Sequence, residues 1–207
     1  MGAGDPGAVD AAVAHLASGG LLVHPTATVY GIGGVPDPDT DRELARLKGR
    51  EPGSGFVHLA GDRAAVLARW PSITLSPGAR RLAAAAWPGP LTLVLDDGSE
   101  HGVAVRVEPH EFTRRVLRQT NGVMSSTSLN RAGEPAASDP VAAREVLAAL
   151  PGSELGVLFV NAGRLPGPPP STLVRVPGPD GSPFEVLRAG ALDANRIAAI
   201  LGGPETK

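Results

Sequence analysis

The chain of 207 residues contains no cysteine and no long apolar run. Without cysteine it has no disulfide bonds, no thiol nucleophile and no thiolate ligand for a metal ion. No apolar run reaches the length of a membrane span, and the N-terminus lacks the basic and then apolar pattern of a secretory signal. These absences predict a cytoplasmic protein that holds no metal ion of its own.

Charge and the scarcity of aromatic residues argue against a dedicated nucleic-acid coat. The formal net charge is -2, and aromatic residues make up 3% of the chain. Phosphate-driven binding needs a basic surface, and single-strand binding adds stacking rings to basic grooves. A local basic patch would still permit a weak contact with tRNA.

Lysine is also scarce, because Lys48 and Lys207 are the only two among 19 basic residues. An interior lysine in an arginine-rich chain indicates a place where a compact ammonium group fits and a planar guanidinium does not. Codon bias combined with chance explains the same pattern comparably well.

The 27 glycines and 21 prolines lie between periodic segments, so they mark loops and not a disordered tract. Helical patterns alternate with β-rich runs, but some strands follow one another directly, as in residues 91–95 and 103–107. The sequence therefore predicts a single α/β domain over residues 1–207, with its core in residues 8–201 and a mixed sheet.

The most informative stretch is His24-Pro-Thr-Ala-Thr-Val-Tyr-Gly-Ile-Gly-Gly34. Its glycines permit a ligand to approach the backbone closely. If the stretch is extended, the hydroxyl groups of Thr26, Thr28 and Tyr30 line one face and would bind a polar ligand. The alternative is a glycine-rich hairpin whose hydroxyl groups face water.

Basic side chains gather where a predicted helix ends, near Gly49. Lys48 and Arg50 would complement the helix dipole there, or they would serve a site beside the glycine loop of residues 51–55. His58 alternates with apolar residues in a short strand, which is typical of a hydrogen-bonded structural histidine and also compatible with a ligand site. The residue pattern leaves both choices open.

Two further polar features occur in or after predicted strands. Arg106 lies within the strand of residues 103–107, so it needs either an anionic partner or a position on a solvent-facing edge. The run Ser125-Ser-Thr-Ser-Leu-Asn130 follows a short apolar strand. Its hydroxyl and amide groups suit a turn or helix start, or a site for phosphate and ribose oxygens. The standard glycine-rich nucleotide motifs do not occur.

Taken in order, these motifs resemble the YrdC-like threonylcarbamoyl-adenylate synthase family in its short, single-domain form. The resemblance covers nearly the whole chain. It rests on Pro25-Thr26-x-Thr28-Val29-Tyr30-Gly31-Ile32-Gly33, Lys48-x-Arg50, Val105-Arg106, Ser126-Thr127-Ser128-Leu129-Asn130 with Gly133 and Pro135, Pro170-Ser171-Thr172 and Arg188-Ala189-Gly190.

The resemblance implies a YrdC-like α/β fold, a twisted mixed sheet with flanking helices around a concave, positively lined cleft. The implied reaction joins L-threonine, bicarbonate or CO2, and ATP into threonylcarbamoyl-AMP with release of pyrophosphate. ATP would be a substrate that carries magnesium. The product would pass to a downstream threonylcarbamoyl transferase complex that modifies an adenosine of tRNA.

The resemblance also implies roles for individual residues. Lys48 and Arg50 would be catalytic and would hold the triphosphate. The remaining ATP-binding residues would be Ser126, Ser128, Asn130 and Arg188. The threonine site would consist of Thr26, Tyr30, His58, Arg106 and Ser171.

The chain departs from the family pattern at three places. Ala27 stands where the family commonly has glutamate, Glu51 where proline is usual, and Gly55-Phe56 where Pro-Leu is usual. Two other functions therefore stay open: a carbamoyl-transferring paralogue, and an RNA-binding module of the same fold without the chemistry. The extra C-terminal domain of the family's long form is not expected, because the chain ends soon after the last predicted helix.

Overall fold

The computed structural model describes residues 1–51, 53, 55–131, 133–151, 156–167, 169–176 and 184–202. Lys207 and parts of the predicted loops at 51–55 and 167–170 lie outside the described residues. The helices are α1 (Ala8–Ala17), α2 (Pro38–Lys48), α3 (Arg63–Arg69), α4 (Pro77–Ala86), α5 (Glu111–Gln119), α6 (Pro140–Ala149) and α7 (Ala194–Leu201). None of these helices is both long and apolar enough to cross a membrane.

The strands form one sheet of mixed direction. They are β1 (Leu22–Pro25), β2 (Tyr30–Gly34), β3 (Val57–Ala60), β4 (Leu91–Leu95), β5 (Val103–Val107), β6 (Val123–Ser128), β7 (Leu158–Phe159), β8 (Thr172–Arg175) and β9 (Glu185–Arg188). Their spatial order is β7-β1-β2-β6-β3-β5-β4-β8-β9. The pairs β1–β7, β3–β5 and β4–β8 are parallel and the others are antiparallel. The predicted fold class is confirmed.

Polar side chains cap the starts of several helices. Asp37 accepts hydrogen bonds from two backbone N–H groups of α2, Ser76 caps α4, and Asp139 caps α6. Each of the three helices also has proline in its first turn. Such a cap contributes about 1 kcal/mol. Because the start of α2 is fixed in this way, its last residue, Lys48, reaches the sheet at a defined position.

Helices cover both faces of the sheet, but they cover one face only in part. On that face, α1 and α5 pack over β1, β3 and β6 through Leu22, Leu59, Phe112 and Met124. The opposite face packs against α2 and α6 in one half and against α3, α4 and α7 in the other. The uncovered part of the first face is therefore open for a ligand.

Most of the serine-rich run belongs to a strand, and not to the turn or helix start that such a run suits. β6 continues through Ser128, and its residues 125–128 pair with β2, where three of the five residues are glycine. A Cβ atom at Gly33 would lie 2.2 Å from the carbonyl oxygen of Ser125. Serine has little intrinsic preference for strands, so pairing with the glycine-rich strand β2 is what makes residues 125–128 extended.

Of the two structures that the sequence allows for residues 24–34, an extended run and a glycine-rich hairpin, the chain forms the hairpin. β1 ends at Pro25, residues 26–29 turn, and β2 begins at Tyr30. The Tyr30 side chain packs against Phe159 with ring centroids 6.0 Å apart. The common face that an extended run would give Thr26, Thr28 and Tyr30 is therefore absent, because the chain reverses between them. Their hydroxyl groups do not face water either, since all three residues are buried.

Candidate active site

A pocket of about 240 Å³ opens on the partly uncovered face of the sheet. We call it the arginine pocket. Its polar lining residues are Thr26, Thr28, Arg50, Arg106, Ser126, Thr127, Ser128, Ser171 and Arg188. Cavities of about 630 and 730 Å³ lie elsewhere, but the arginine pocket gathers most of the polar residues that the sequence motifs predict.

The register of the sheet explains how distant residues meet in this pocket. Ser128 lies opposite Gly31, and Ser126 lies opposite both Gly33 and Val57. Leu59 lies opposite Arg106, and Leu173 opposite Arg188. Directly paired residues point to the same face of a sheet. Five strands therefore present side chains to one concave surface.

Arg106 is held by a buried ion pair. Only 6% of the residue is exposed, and its Nη2 atom donates to Oε2 of the fully buried Glu108 at 2.5 Å. Its Nε atom is buried and has no hydrogen-bond partner among the described residues. Of the two positions that the sequence allows for Arg106, the one with an anionic partner is confirmed.

Arg188 is the second fixed arginine. Its Nη2 atom donates to the backbone oxygen of Ser171 at 3.0 Å and to the Ser171 hydroxyl at 3.3 Å. That hydroxyl also lies 2.8 Å from the hydroxyl of Thr92. Burial lowers the pKa of Arg188, and the nearby charges of Arg106 and Arg50 lower it further. Cations that repel one another across a pocket favour an anionic ligand.

Lys48 lies beside the arginine pocket and outside its lining. Its ammonium group donates to the backbone oxygens of Ser128 and Asn130, at 3.0 and 2.5 Å, and to Asn130 Oδ1 at 2.8 Å. Burial lowers the Lys48 pKa to about 8, and the charge of Arg50 contributes. The side chain thus links the end of α2 to the turn after β6.

The same turn contains the amide predicted to bind nucleotide. Asn130 accepts a hydrogen bond from the Ser128 hydroxyl at 2.6 Å. Its Nδ2 atom donates to the backbone oxygens of Arg131 and Glu134. All polar atoms of the Asn130 side chain therefore have partners within the chain, and the side chain shapes the turn beside the pocket.

His24 is a supporting residue that the sequence motifs did not identify as part of the site. It is completely buried, and its Nε2 atom lies 3.0 Å from the Ser126 hydroxyl. Burial is the main cause that lowers the His24 pKa to about 3, so the ring is neutral at pH 7. A Cβ atom at Gly31 would lie 2.8 Å from this ring. Glycine at position 31 therefore makes room for the contact.

The turn between β1 and β2 supplies two threonines. Thr26 donates to the backbone oxygen of Val29 at 2.7 Å, which closes the turn, and it also lines the pocket. The hydroxyl oxygen of Thr28 is buried without a hydrogen-bond partner in the described part of the chain. The sequence gives Thr28 a ligand-binding role only if the stretch is extended, and the resemblance assigns it to neither the ATP site nor the threonine site. Its buried hydroxyl without a partner, which only the tertiary structure reveals, marks Thr28 as a candidate ligand-binding residue.

Tyr30 and His58, which the resemblance places in the threonine site, lie outside the arginine pocket. The Tyr30 hydroxyl donates to the oxygen of Gly163 at 2.7 Å and accepts from the N–H of Ala162. His58 lies against Trp70, with ring centroids 5.1 Å apart. Neighbours of both residues line the pocket, and successive side chains of a strand point to opposite faces.

The fold and the pocket together define an α/β protein with a sheet-face pocket lined by three arginines and several hydroxyl groups. The family model described as Telomere recombination, which covers Sua5, YciO and YrdC proteins, matches residues 14–190. The chain belongs to this family, as the sequence motifs predicted.

Similar proteins carry a common name. A threonylcarbamoyl-AMP synthase of Chromohalobacter salexigens is 43% identical over 138 residues, which cover 61% of this chain and 72% of that protein. A putative threonylcarbamoyl-AMP synthase of Mycobacterium leprae is 35% identical over 209 residues, 94% of this chain and 88% of that protein. These names agree with the predicted activity and enzyme class.

A solved structure shows the same fold. P. abyssi Sua5 complexed with L-threonine superimposes with a TM-score of 0.78 at 22% identity. The match covers 95% of this chain and 58% of Sua5, so this chain spans little more than half the length of that protein.

Proposed function

We propose that this protein is an L-threonylcarbamoyladenylate synthase. It would convert L-threonine, bicarbonate or CO2, and ATP into threonylcarbamoyl-AMP and pyrophosphate. The names of its relatives and the L-threonine bound to a protein of the same fold support this choice.

The observation that carries the proposal is the convergence of Arg50, Arg106 and Arg188 on one pocket. Of these three cations, Arg106 has an ion-pair partner in Glu108. The pocket is also lined by hydroxyl groups, which bind phosphate and ribose oxygens as well as the polar groups of an amino acid. Both a triphosphate and a threonine carboxylate would match this lining, because guanidinium groups bind both by paired hydrogen bonds.

The substrates divide the pocket between them. Arg50 and Arg188 would hold the nucleotide together with Ser126 and Ser128. Lys48 would add its positive charge beside the triphosphate from the adjoining turn, and Asn130 holds that turn in shape. Arg106 would bind the carboxylate of threonine. Thr26 and Ser171 would receive its other polar groups, and Thr28 joins them because its buried hydroxyl lacks a partner.

The chemistry needs positioning and charge neutralisation more than proton relays. The neutral threonine amine first combines with bicarbonate, with loss of water, or with CO2, with loss of a proton, to give a carbamate. A carbamate oxygen then attacks the α-phosphorus of ATP, a P–O bond forms, and the bond to pyrophosphate breaks. Negative charge that grows on the phosphates would be stabilised by Arg50 and Arg188.

Magnesium would enter as part of the ATP substrate. Among the described residues no group of three His, Asp or Glu side chains is arranged to hold a metal ion. No carboxylate lines the arginine pocket in that part of the chain either, since Glu108 lies behind Arg106. Phosphate oxygens would therefore supply the anionic ligands that magnesium prefers.

The biological setting follows from the reaction. We propose that the product passes to a threonylcarbamoyl transferase complex for modification of a tRNA adenosine, and that contact with tRNA itself is weak. ATP and tRNA are both available in the cytoplasm, so we place the protein there. We also propose that residues 1–207 act as one domain, because strands from β1 to β9 share one sheet.

The test is release of pyrophosphate from ATP and bicarbonate by the purified chain, with and without L-threonine. Threonine-dependent release supports the proposal. Release without any amino acid, or with carbamoyl phosphate in place of bicarbonate and threonine, would indicate a carbamoyl-transferring paralogue. Binding of RNA with no release under any condition would indicate an RNA-binding module.

A further inference from the structure

Glu108 is the most deeply buried acidic residue in the described part of the chain. Its exposed fraction is 0%, and no other Asp or Glu of those residues is classed as buried. It follows directly after β5, whose last two residues are Arg106 and Val107. A buried carboxylate is costly unless its oxygens are paired. Its place behind the pocket wall therefore calls for a specific role.

Both oxygens of Glu108 are used. Oε2 accepts from Arg106 Nη2 at 2.5 Å, and Oε1 accepts from the backbone N–H of His110 at 3.0 Å. The backbone N–H of Glu108 donates to the oxygen of Ala60 in β3 at 3.0 Å. The carboxylate is thus fixed at one end by the sheet and at the other by the start of α5.

The extended chain places the Glu108 side chain next to that of Arg106. Residues i and i+2 of an extended chain point to the same face, so Arg106 and Glu108 project side by side. The ion pair therefore selects the direction of the arginine along the strand. An arginine that is already oriented loses less side-chain freedom when it binds a ligand.

The other two arginines of the pocket are held differently. Arg188 is fixed by neutral oxygens of Ser171, and Arg50 lies over the Phe56 ring, with its guanidinium carbon 5.8 Å from the ring centre. Neither has an ion-pair partner among the described residues. Of the three arginines, Arg106 is the one paired with a carboxylate. This difference indicates that ligand binding depends most on the orientation of the Arg106 guanidinium.

We propose that Glu108 is a positioning residue that orients Arg106 to bind the carboxylate of the amino-acid substrate. The inference rests on the proposed function, and it makes Glu108 a determinant of threonine affinity and not of nucleotide affinity. Glu108 does not line the pocket, so it acts only through Arg106.

The experiment measures L-threonine binding by calorimetry to the full chain saturated with a non-hydrolysable ATP analogue. The variants are Glu108→Gln, Glu108→Asp, Arg106→Lys and the double variant Arg106→Lys/Glu108→Asp. Glu108→Asp keeps the charge but shortens the side chain, so it cannot reach both Arg106 and the N–H of His110. Glu111→Asp is the matched control, because Glu111 is exposed in the first turn of α5.

We expect Glu108→Gln and Glu108→Asp to weaken threonine binding roughly tenfold, the scale for loss of a residue that orients a ligand-binding group. Affinity for the ATP analogue should stay within about twofold, which also reports that the variants fold. In the Arg106→Lys background, Glu108→Asp should change threonine affinity by less than about twofold, because coupled residues are not additive. The Glu111 control should bind both ligands like the unaltered chain.

Other results would overturn the inference in recognisable ways. If Glu108→Gln bound threonine more tightly, the carboxylate would compete with the substrate for Arg106. Equal losses of threonine and nucleotide affinity, or additive effects in the double variant, would mean that Glu108 only stabilises the fold. If the unaltered chain binds no threonine, both proposals fail. If it binds threonine and the variants weaken binding but no pyrophosphate is released, only the proposed function fails.

Discussion

Lys48 and Asn130 lie 82 residues apart in the sequence, and a hydrogen bond of 2.8 Å joins the ammonium group to the side-chain oxygen of Asn130. Two backbone oxygens accept from the same ammonium group. An ammonium group has three donors around one nitrogen atom, whereas a guanidinium spreads its donors over a planar fork. This geometry explains why a chain rich in arginine has lysine at position 48.

Replacement of Lys48 should affect both turnover and stability. We expect Lys48→Met to lower turnover by about 10²–10³, as for a lost electrostatic contact near the reacting groups. The three oxygens that lose their donor should reduce the free energy of unfolding by about 1–3 kcal/mol. Pyrophosphate release and urea denaturation measure the two effects. Full activity in Lys48→Met would exclude any role in the reaction.

The pH dependence of turnover should report the charge of Lys48. Burial lowers its pKa to about 8 from 10.5, so the ammonium group loses its proton as the pH rises through 8. We expect turnover to fall above pH 8 and stability to rise between pH 8 and 10.5, because the unfolded chain binds the proton there and the folded chain does not. Lys48→Met should remove this step from both profiles. An unchanged profile in the variant would assign the step to another group.

Arg50 should matter for turnover and not for folding, because it is exposed at the mouth of the pocket. We expect Arg50→Ala to lower turnover by about 10²–10³ with little change in melting temperature. Arg69→Ala is the matched control: Arg69 also lies over an aromatic ring, that of Trp70, but outside the arginine pocket. Equal losses in both variants would show that the effect comes from the lost ring contact.

Acid should destabilise the protein through His24. Burial lowers its folded-state pKa to about 3, whereas the unfolded chain has the usual value of 6.5. The unfolded chain therefore binds an extra proton between these values, and stability is lost as the pH falls from 6.5 toward 3, by on the order of 5 kcal/mol in total. Denaturation experiments measure the free energy of unfolding at pH 7 and at pH 4.5. The difference between the two values should be smaller for His24→Gln than for the unaltered chain. His15→Gln, at a partly exposed site, should retain the full difference.

Gly33 should tolerate no side chain. An added Cβ atom would lie 2.2 Å from the backbone oxygen of Ser125, so β2 and β6 would have to separate. We expect Gly33→Ala to lower the free energy of unfolding by roughly 1–3 kcal/mol or more. Gly4→Ala is the control, because no atom lies within 4 Å of a Cβ atom placed there. Similar stability of the two variants would contradict the tight pairing of β2 with β6.

The sequence by itself determined the class of fold, the family and most element positions. Proline, aspartate and serine at the starts of α2, α4 and α6 act within the first helical turn, so these helix starts depend on local sequence. Arg106 was identified as needing an anionic partner because the cost of burying a guanidinium does not depend on the fold. Most predicted site residues, including Arg50, Ser126 and Arg188, do line one pocket.

Only the tertiary structure decided which face each side chain occupies. Tyr30 and His58 are next to pocket-lining residues in the sequence, yet they point to the other side of the sheet, because side chains alternate along a strand and the chain reverses after Pro25. The partners His24 for Ser126 and Asn130 for Lys48 depend on strand register and on where α2 ends. Register is set by packing between segments that are far apart in the sequence, and no local pattern encodes it.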